Sequence, residues 1–159
     1  CDIMKQSELL SNIRNNLKDY PIDYLRGKSS DKYPDSITKR LAIYNTKIYD
    51  EIFSLDLNNI EFESEIKIET MNNISNDFDY YFTVYDVYDE DEVEFTKNLC
   101  LYLSLIAKKP LHPVGTNPKK DDVFKHNSEY FCKNKIKYVK DKNSLCRYCI
   151  CKNAPFNFY

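Results

Sequence analysis

The sequence predicts a mainly α-helical fold. Residues 1–109 read as a bundle-like helical domain, and residues 110–159 as a small irregular or β module stapled by a metal, with an α+β arrangement as the alternative. Three observations lead there. Three stretches before residue 110 carry apolar residues at helical spacing. Beyond Thr116 that periodicity fades, and the tail has too few aliphatic residues to hold itself together without a staple. Four of the six cysteines, Cys132, Cys146, Cys149 and Cys151, fall in that tail.

The elements follow in order. Residues 4–20, MKQSELLSNIRNNLKDY, place Leu10, Ile13, Leu17 and Tyr20 on one helical face, and Pro21 ends the run. RGKSSDKYPDS is loop chemistry, rich in Gly, Ser, Asp and Pro. Ser36 can cap a second helix from Ile37 to Leu55, with Leu41, Tyr44, Ile48, Ile52 and Leu55 in one stripe. IEFESEIKIET, from Ile60, alternates: Ile60, Phe62, Ile66 and Ile68 face one way and charged residues the other, which is strand period, with no evident partner nearby. The aromatic and acidic FDYYFTVYDVYDEDE is expected to lay its rings over the core. A third helix runs from Asp91 to Lys109, acidic in its first turn and basic in its last, as the helix dipole favours. Its buried stripe is Phe95, Leu99, Tyr102, Leu103 and Ile106, and Cys100 reads as a small buried hydrophobe. KKPLHPVG ends it, and VFKHNSEYF reads as a short hairpin about His126, Asn127 and Ser128.

Composition excludes several functions. The chain has 159 residues, enough for one domain, and only two glycines, Gly27 and Gly115. Neither G-x-G-x-x-G nor a P-loop can be assembled, and both need glycines for close backbone approach to phosphate. No apolar run approaches the roughly 20 residues that span a bilayer, and CDIMKQSELL lacks the design of a signal peptide. The expectation is a cytoplasmic protein without membrane insertion, in which clustered cysteines point to metal rather than disulfides. Charge is unevenly spread: Asp50 to Glu94 holds 15 acidic residues against one lysine, and Lys108 to Lys152 holds 12 basic against four acidic. The plain reading is two solvated faces that attract each other; the sharper one is a basic tail meeting a phosphate backbone or an acidic protein.

The cysteine spacing carries the chemistry. Cys146-Arg147-Tyr148-Cys149 is C-x-x-C, in which a tight turn aims both sulfurs at one ion. Structural zinc takes four such ligands in a tetrahedron. Cys132, separated from Cys146 by thirteen residues, is the third candidate. The fourth is Cys151 or His112, with His126 better explained as a solvated residue near a hairpin tip. Four thiolates would equally serve a [4Fe–4S] cluster, whereas three thiolates and a histidine point to zinc. The neighbouring lysines and Arg147 favour thiolates and offset the charge of such a site. The competing reading is a set of free or redox-active thiols, and for His112 a turn histidine bonded to backbone.

IAKKPLHPVG, then YFC, then NSLCRYCIC resembles the C-terminal signature of an uncharacterised family found mainly in methanogenic archaea, domain-of-unknown-function family 2115. By that resemblance His112, Pro113, Gly115, Cys132, Cys146 and Cys149 correspond to signature positions, which favours His112 as the fourth ligand. The chain departs from the pattern after Gly115, where TNPKKDD replaces a Gly-rich segment. The family brings no assigned activity. It implies a strictly anaerobic archaeal cytoplasm; methanogens carry many accessory proteins around their large enzyme complexes, a link by organism and not by chemistry.

Three functions compete. A metal-binding accessory or adaptor protein acting on a protein partner leads. A nucleic-acid-binding protein would use the tail's Tyr130, Phe131, Tyr138 and Tyr148 among lysines for stacking and charge. An iron–sulfur redox or sensor protein is the third. The sequence leans away from an enzyme: it has two histidines, no Ser–His–Asp order, and carboxylates in YDEDEVE that a helix start explains.

Overall fold

The computed structural model describes residues 2–29, 36–58, 64–84, 89–114, 123–138 and 144–154. Among the described residues helices dominate, with two small sheets. A short strand β1 (Ile3–Lys5) leads into α1 (Gln6–Leu17), which buries Leu9, Leu10, Ile13 and Leu17. After Pro21 the chain forms a further helix, α2 (Ile22–Lys28), where loop was expected from Arg26 onward. The fixed φ of Pro21 suits a helix start as well as a helix stop. In α3 (Ile37–Ser54) Ser36 accepts a hydrogen bond from the Lys39 amide, the predicted cap, and Ala42, Thr46, Ile48 and Ile52 are buried.

The alternating segment is corrected in length. Residues 59–63 lie outside the described residues; from there only β2 (Glu65–Lys67) is strand, and Ile68 already opens α4 (Ile68–Val84). Its partner is β1, antiparallel with Met4 opposite Ile66, so the first residues of the predicted first helix are strand instead. Ile66 is the buried member of β2. The helix α4 carries an apolar set at Met71, Ile74, Phe78 and Phe82, a spacing of three and four that the charged surroundings obscured. Of the aromatic stretch, Phe78 is fully buried and Phe82 packs against the core, whereas Tyr80 is exposed and Tyr85 and Tyr88 lie outside the described residues.

The last core helix is α5 (Glu90–Leu101), capped by Asp89, which accepts from the Asp91 and Glu92 amides. It continues as a wider π-helix over Tyr102–Ala107, not the regular helix to Lys109 that was expected. Gln6 donates to the Leu105 carbonyl at 2.9 Å, serving a carbonyl in this wide turn. Lys108 then ends the segment in the left-handed region, at φ 54. Phe95, Leu99, Cys100, Leu101, Tyr102, Leu103 and Ile106 join α1, α3 and α4 in one core. Cys100 is buried as predicted. Among the described residues no helix is long and apolar enough to cross a membrane.

The C-terminal module is a three-stranded sheet with two short helical turns. The hairpin is where the sequence placed it: β3 (Val123–His126) and β4 (Glu129–Cys132) pair antiparallel, and Asn127 and Ser128 both have positive φ. A single helical turn α6 (Lys135–Tyr138) follows, then a 3-10 turn over Cys146–Tyr148 and β5 (Lys152–Asn153), parallel to β4. Leu111, Leu145 and Tyr148 pack against the helical core, which seats the module on the bundle.

Candidate metal centre

Each candidate ligand comes from a different short segment. Cys132 ends β4, where the chain turns into α6. Cys146 and Cys149 bracket the 3-10 turn, and the Cys149 amide closes back on the Cys146 carbonyl at 3.1 Å. Cys151 directly precedes β5, in which Lys152 pairs with Phe131 and Asn153 with Cys132. His112 lies in the turn after the π-helix. All five line one cavity of about 530 Å³ between the module and the bundle. The opposite wall comes from the helices: Phe78 and Phe82 of α4, Leu99 and Cys100 of α5, and Leu103.

One of the sulfurs, Cys149, sits in an environment suited to thiolate. The Leu111 amide donates to Cys149 Sγ at 3.4 Å. The backbone of Asn134 and Lys135 works against the burial that raises Cys132. The Cys149 and Cys151 thiols act on each other. Cys151 first, then the Leu111 amide and the charge of Lys135, lower the Cys149 thiol, while burial opposes them. Cys151 is driven the other way, first by Cys149 and then by burial. Burial raises Cys132. Cys132 also feels the charges of Cys146 and Cys149, and Cys151 those of Cys149 and Cys132, so the four thiols form one electrostatic group. All described cysteines are free thiols.

His112 stands at the cavity mouth, its ring partly in solvent yet crowded by protein atoms, and that desolvation keeps its imidazole below the ordinary pKa. His126 is exposed on the hairpin and does not line the cavity. As they stand, no three His, Cys, Asp or Glu side chains among the described residues are arranged to hold an ion. The donor chemistry fits a soft or borderline metal; the placement would require the sulfurs to draw together.

Two residues escaped the sequence reading as individuals. Lys135 is buried, lines the cavity, and donates to the Cys149 carbonyl at 2.6 Å. Its signal was weak, one lysine among many. Asp77 of α4 accepts from Tyr148 and Arg147, the two residues inside C-x-x-C, and thereby ties the cysteine turn to the bundle. The same ion pair, with Lys109 on Glu51 at 2.6 Å, joins the basic tail to the acidic middle, which fits the plain reading of the charge pattern.

Fold and cavity together define a mainly helical protein carrying a thiol-lined module on its core. The chain belongs to the family described as "Uncharacterized protein conserved in archaea (DUF2115)", whose model matches residues 5–154. It is 29% identical, over 94% of its own length and 97% of the relative's, to UPF0305 protein MJ0646 of Methanocaldococcus jannaschii. No solved structure matches.

Proposed function

We propose that this is a metal-binding accessory protein, in which a zinc ion clips the C-terminal module to the bundle and presents it to a protein partner. One observation carries the reading: His112, Cys132, Cys146, Cys149 and Cys151, spread over forty positions of sequence, line a single cavity. Four thiols gathered on one cavity, with Cys132, Cys146 and Cys149 half-exposed and Cys151 buried, place soft donors within reach of a single ion. Bound there, zinc would supply folding energy and hold segments that have little core of their own. Cys132, Cys146 and Cys149 would be ligands, with His112 or Cys151 as the fourth. A [4Fe–4S] cluster on the four thiols is the alternative cofactor.

Metal analysis of protein purified without oxygen tests this. The expected result is one zinc per chain in the wild type and loss of it in Cys146→Ser. Wild-type protein that emerges from zinc reconstitution with no tightly bound ion refutes the reading. A brown protein containing iron and inorganic sulfide favours the cluster.

The nucleic-acid reading draws less support. Lys135 is buried on a carbonyl, Arg147 is on Asp77 and Lys152 is on Glu129, so these cations of the tail already have protein partners. Absence of single-stranded RNA binding at low salt would dismiss it.

A further inference from the structure

We propose that Lys135 is the built-in counter-charge of this centre, and that the shell it balances is three thiolates, Cys132, Cys146 and Cys149, completed by the neutral imidazole of His112. The inference rests on the metal reading above and adds to it a charge-setting residue and a choice of fourth ligand.

A buried ammonium is stable only when opposite charge compensates it. Lys135 is 9% exposed. Its bond to the Cys149 carbonyl satisfies one hydrogen and supplies only a dipole. Neither Asp nor Glu is among the described residues that line its cavity, and none of the described ion pairs includes it. The thiols are the acids it faces, and its charge acts on both Cys149 and Cys151.

Charge then selects the shell. A divalent zinc on three thiolates and one imidazole carries one net negative charge, which a single lysine cancels. Four thiolates would leave a second negative charge in a largely apolar cavity, and the described lining offers no further cation. Geometry agrees. His112 follows directly after Leu111, whose amide already points at Cys149 Sγ at 3.4 Å. Cys151, which lines the same cavity two positions after Cys149, then stands just outside the metal shell. Lys135 is a positioning residue in this scheme and touches no metal.

Cobalt titration of the full-length metal-free chain under anoxic conditions tests the inference, with the visible spectrum reporting the ligand set. Wild type is expected to take up one cobalt with a three-sulfur, one-nitrogen spectrum. His112→Gln should shift the ligand-field bands, and Cys151→Ser should leave them in place. Lys135→Met should weaken cobalt affinity by roughly 10–100-fold, and Lys135→Arg should recover most of it. Far-ultraviolet circular dichroism on each variant confirms that the helices are intact, and the Arg variant separates charge from packing. Wild-type affinity in Lys135→Met, or bands that move in Cys151→Ser and stay in His112→Gln, overturns this inference alone. A wild type that takes up no cobalt overturns the metal reading itself.

Discussion

Arg147 reaches from the cysteine turn to Asp77 on α4, its Nη2 2.7 Å from Asp77 Oδ2. Tyr148 donates to the same oxygen. Both residues lie between Cys146 and Cys149, so the turn that would aim two sulfurs is itself fastened to the bundle by the side chains it does not use for chemistry. The Arg147 guanidinium leaves its Nε buried without a partner, which makes Asp77 its principal compensation among the described residues.

Asp77→Ala should therefore destabilise the protein by about 1–2 kcal/mol, the range for hydrogen bonds to a charged group, reduced by partial exposure of the pair. Urea denaturation measures it. A double-mutant cycle with Arg147→Ala should show positive coupling, because both single changes remove one contact. Additive effects would mean that the pair does not hold the turn.

Ser128 offers the opposite test. The two-residue turn between β3 and β4 has φ 51 at Asn127 and φ 67 at Ser128. Such a turn needs positive φ at both positions, and Asn-Gly suits it best. Ser128→Gly should raise stability by roughly 0.5–1 kcal/mol through relief of left-handed strain, read as a higher thermal midpoint. Ser128→Val should lower it.

These elements also show where sequence reasoning reached and where it stopped. The hairpin was legible because Asn127-Ser128 is local turn chemistry between two short apolar runs. The Ser36 cap and the buried face of α1 were legible for the same reason, being set by residues three or four apart; in α3 the predicted stripe is buried at Ile48 and Ile52, while Leu41, Tyr44 and Leu55 are half-buried and Ala42 and Thr46 are buried with it. The pairing of β1 with β2 was not, because Met4 and Ile66 meet only through tertiary packing. Nor was α4, whose apolar set from Met71 to Phe82 competed with an alternating run just before it. The π-helix was invisible, since Tyr102–Ala107 has ordinary helical composition and widens against its surroundings. At the candidate site, cysteine spacing named the donors, but the burial of Lys135 and the anchoring role of Asp77 depend on contacts across 14 and 71 positions respectively.

Alkaline pH should destabilise the metal-free protein. Burial pushes the Cys100 thiol from an ordinary 9.0 up to about 12. A group raised in the folded state contributes stability that is complete below its unfolded pKa and is lost as pH rises toward its folded one. Stability should accordingly hold to about pH 9 and then decline, with Cys100 alone contributing up to about 1.4 kcal/mol per pH unit. Tyr20, Tyr44 and Tyr102, all raised mainly by burial, should steepen the fall above pH 10. Urea midpoints across that range measure the decline, and Cys100→Ala should flatten its first part.

Thiol reactivity should separate the cysteines that share the cavity. In metal-free protein, Cys149 is drawn toward thiolate: the Cys151 thiol, the Leu111 amide and the Lys135 charge lower it. Cys132 is raised by burial, and Cys100 is both raised and enclosed in the core. Nucleophilicity follows the thiolate fraction and access. Brief treatment with iodoacetamide, followed by peptide mapping, should find Cys149 alkylated first and Cys100 untouched until the protein unfolds. Cys151→Ala removes the strongest influence on Cys149 and should slow its alkylation at pH 7 while leaving Cys100 unchanged. Zinc added beforehand should protect Cys149, Cys146 and Cys132 together, since ligand sulfurs are no longer free nucleophiles. Protection of Cys149 alone would mean that the three sulfurs do not share an ion. Early labelling of Cys100 would mean that the bundle opens before the module does, the reverse of what the core beneath it implies.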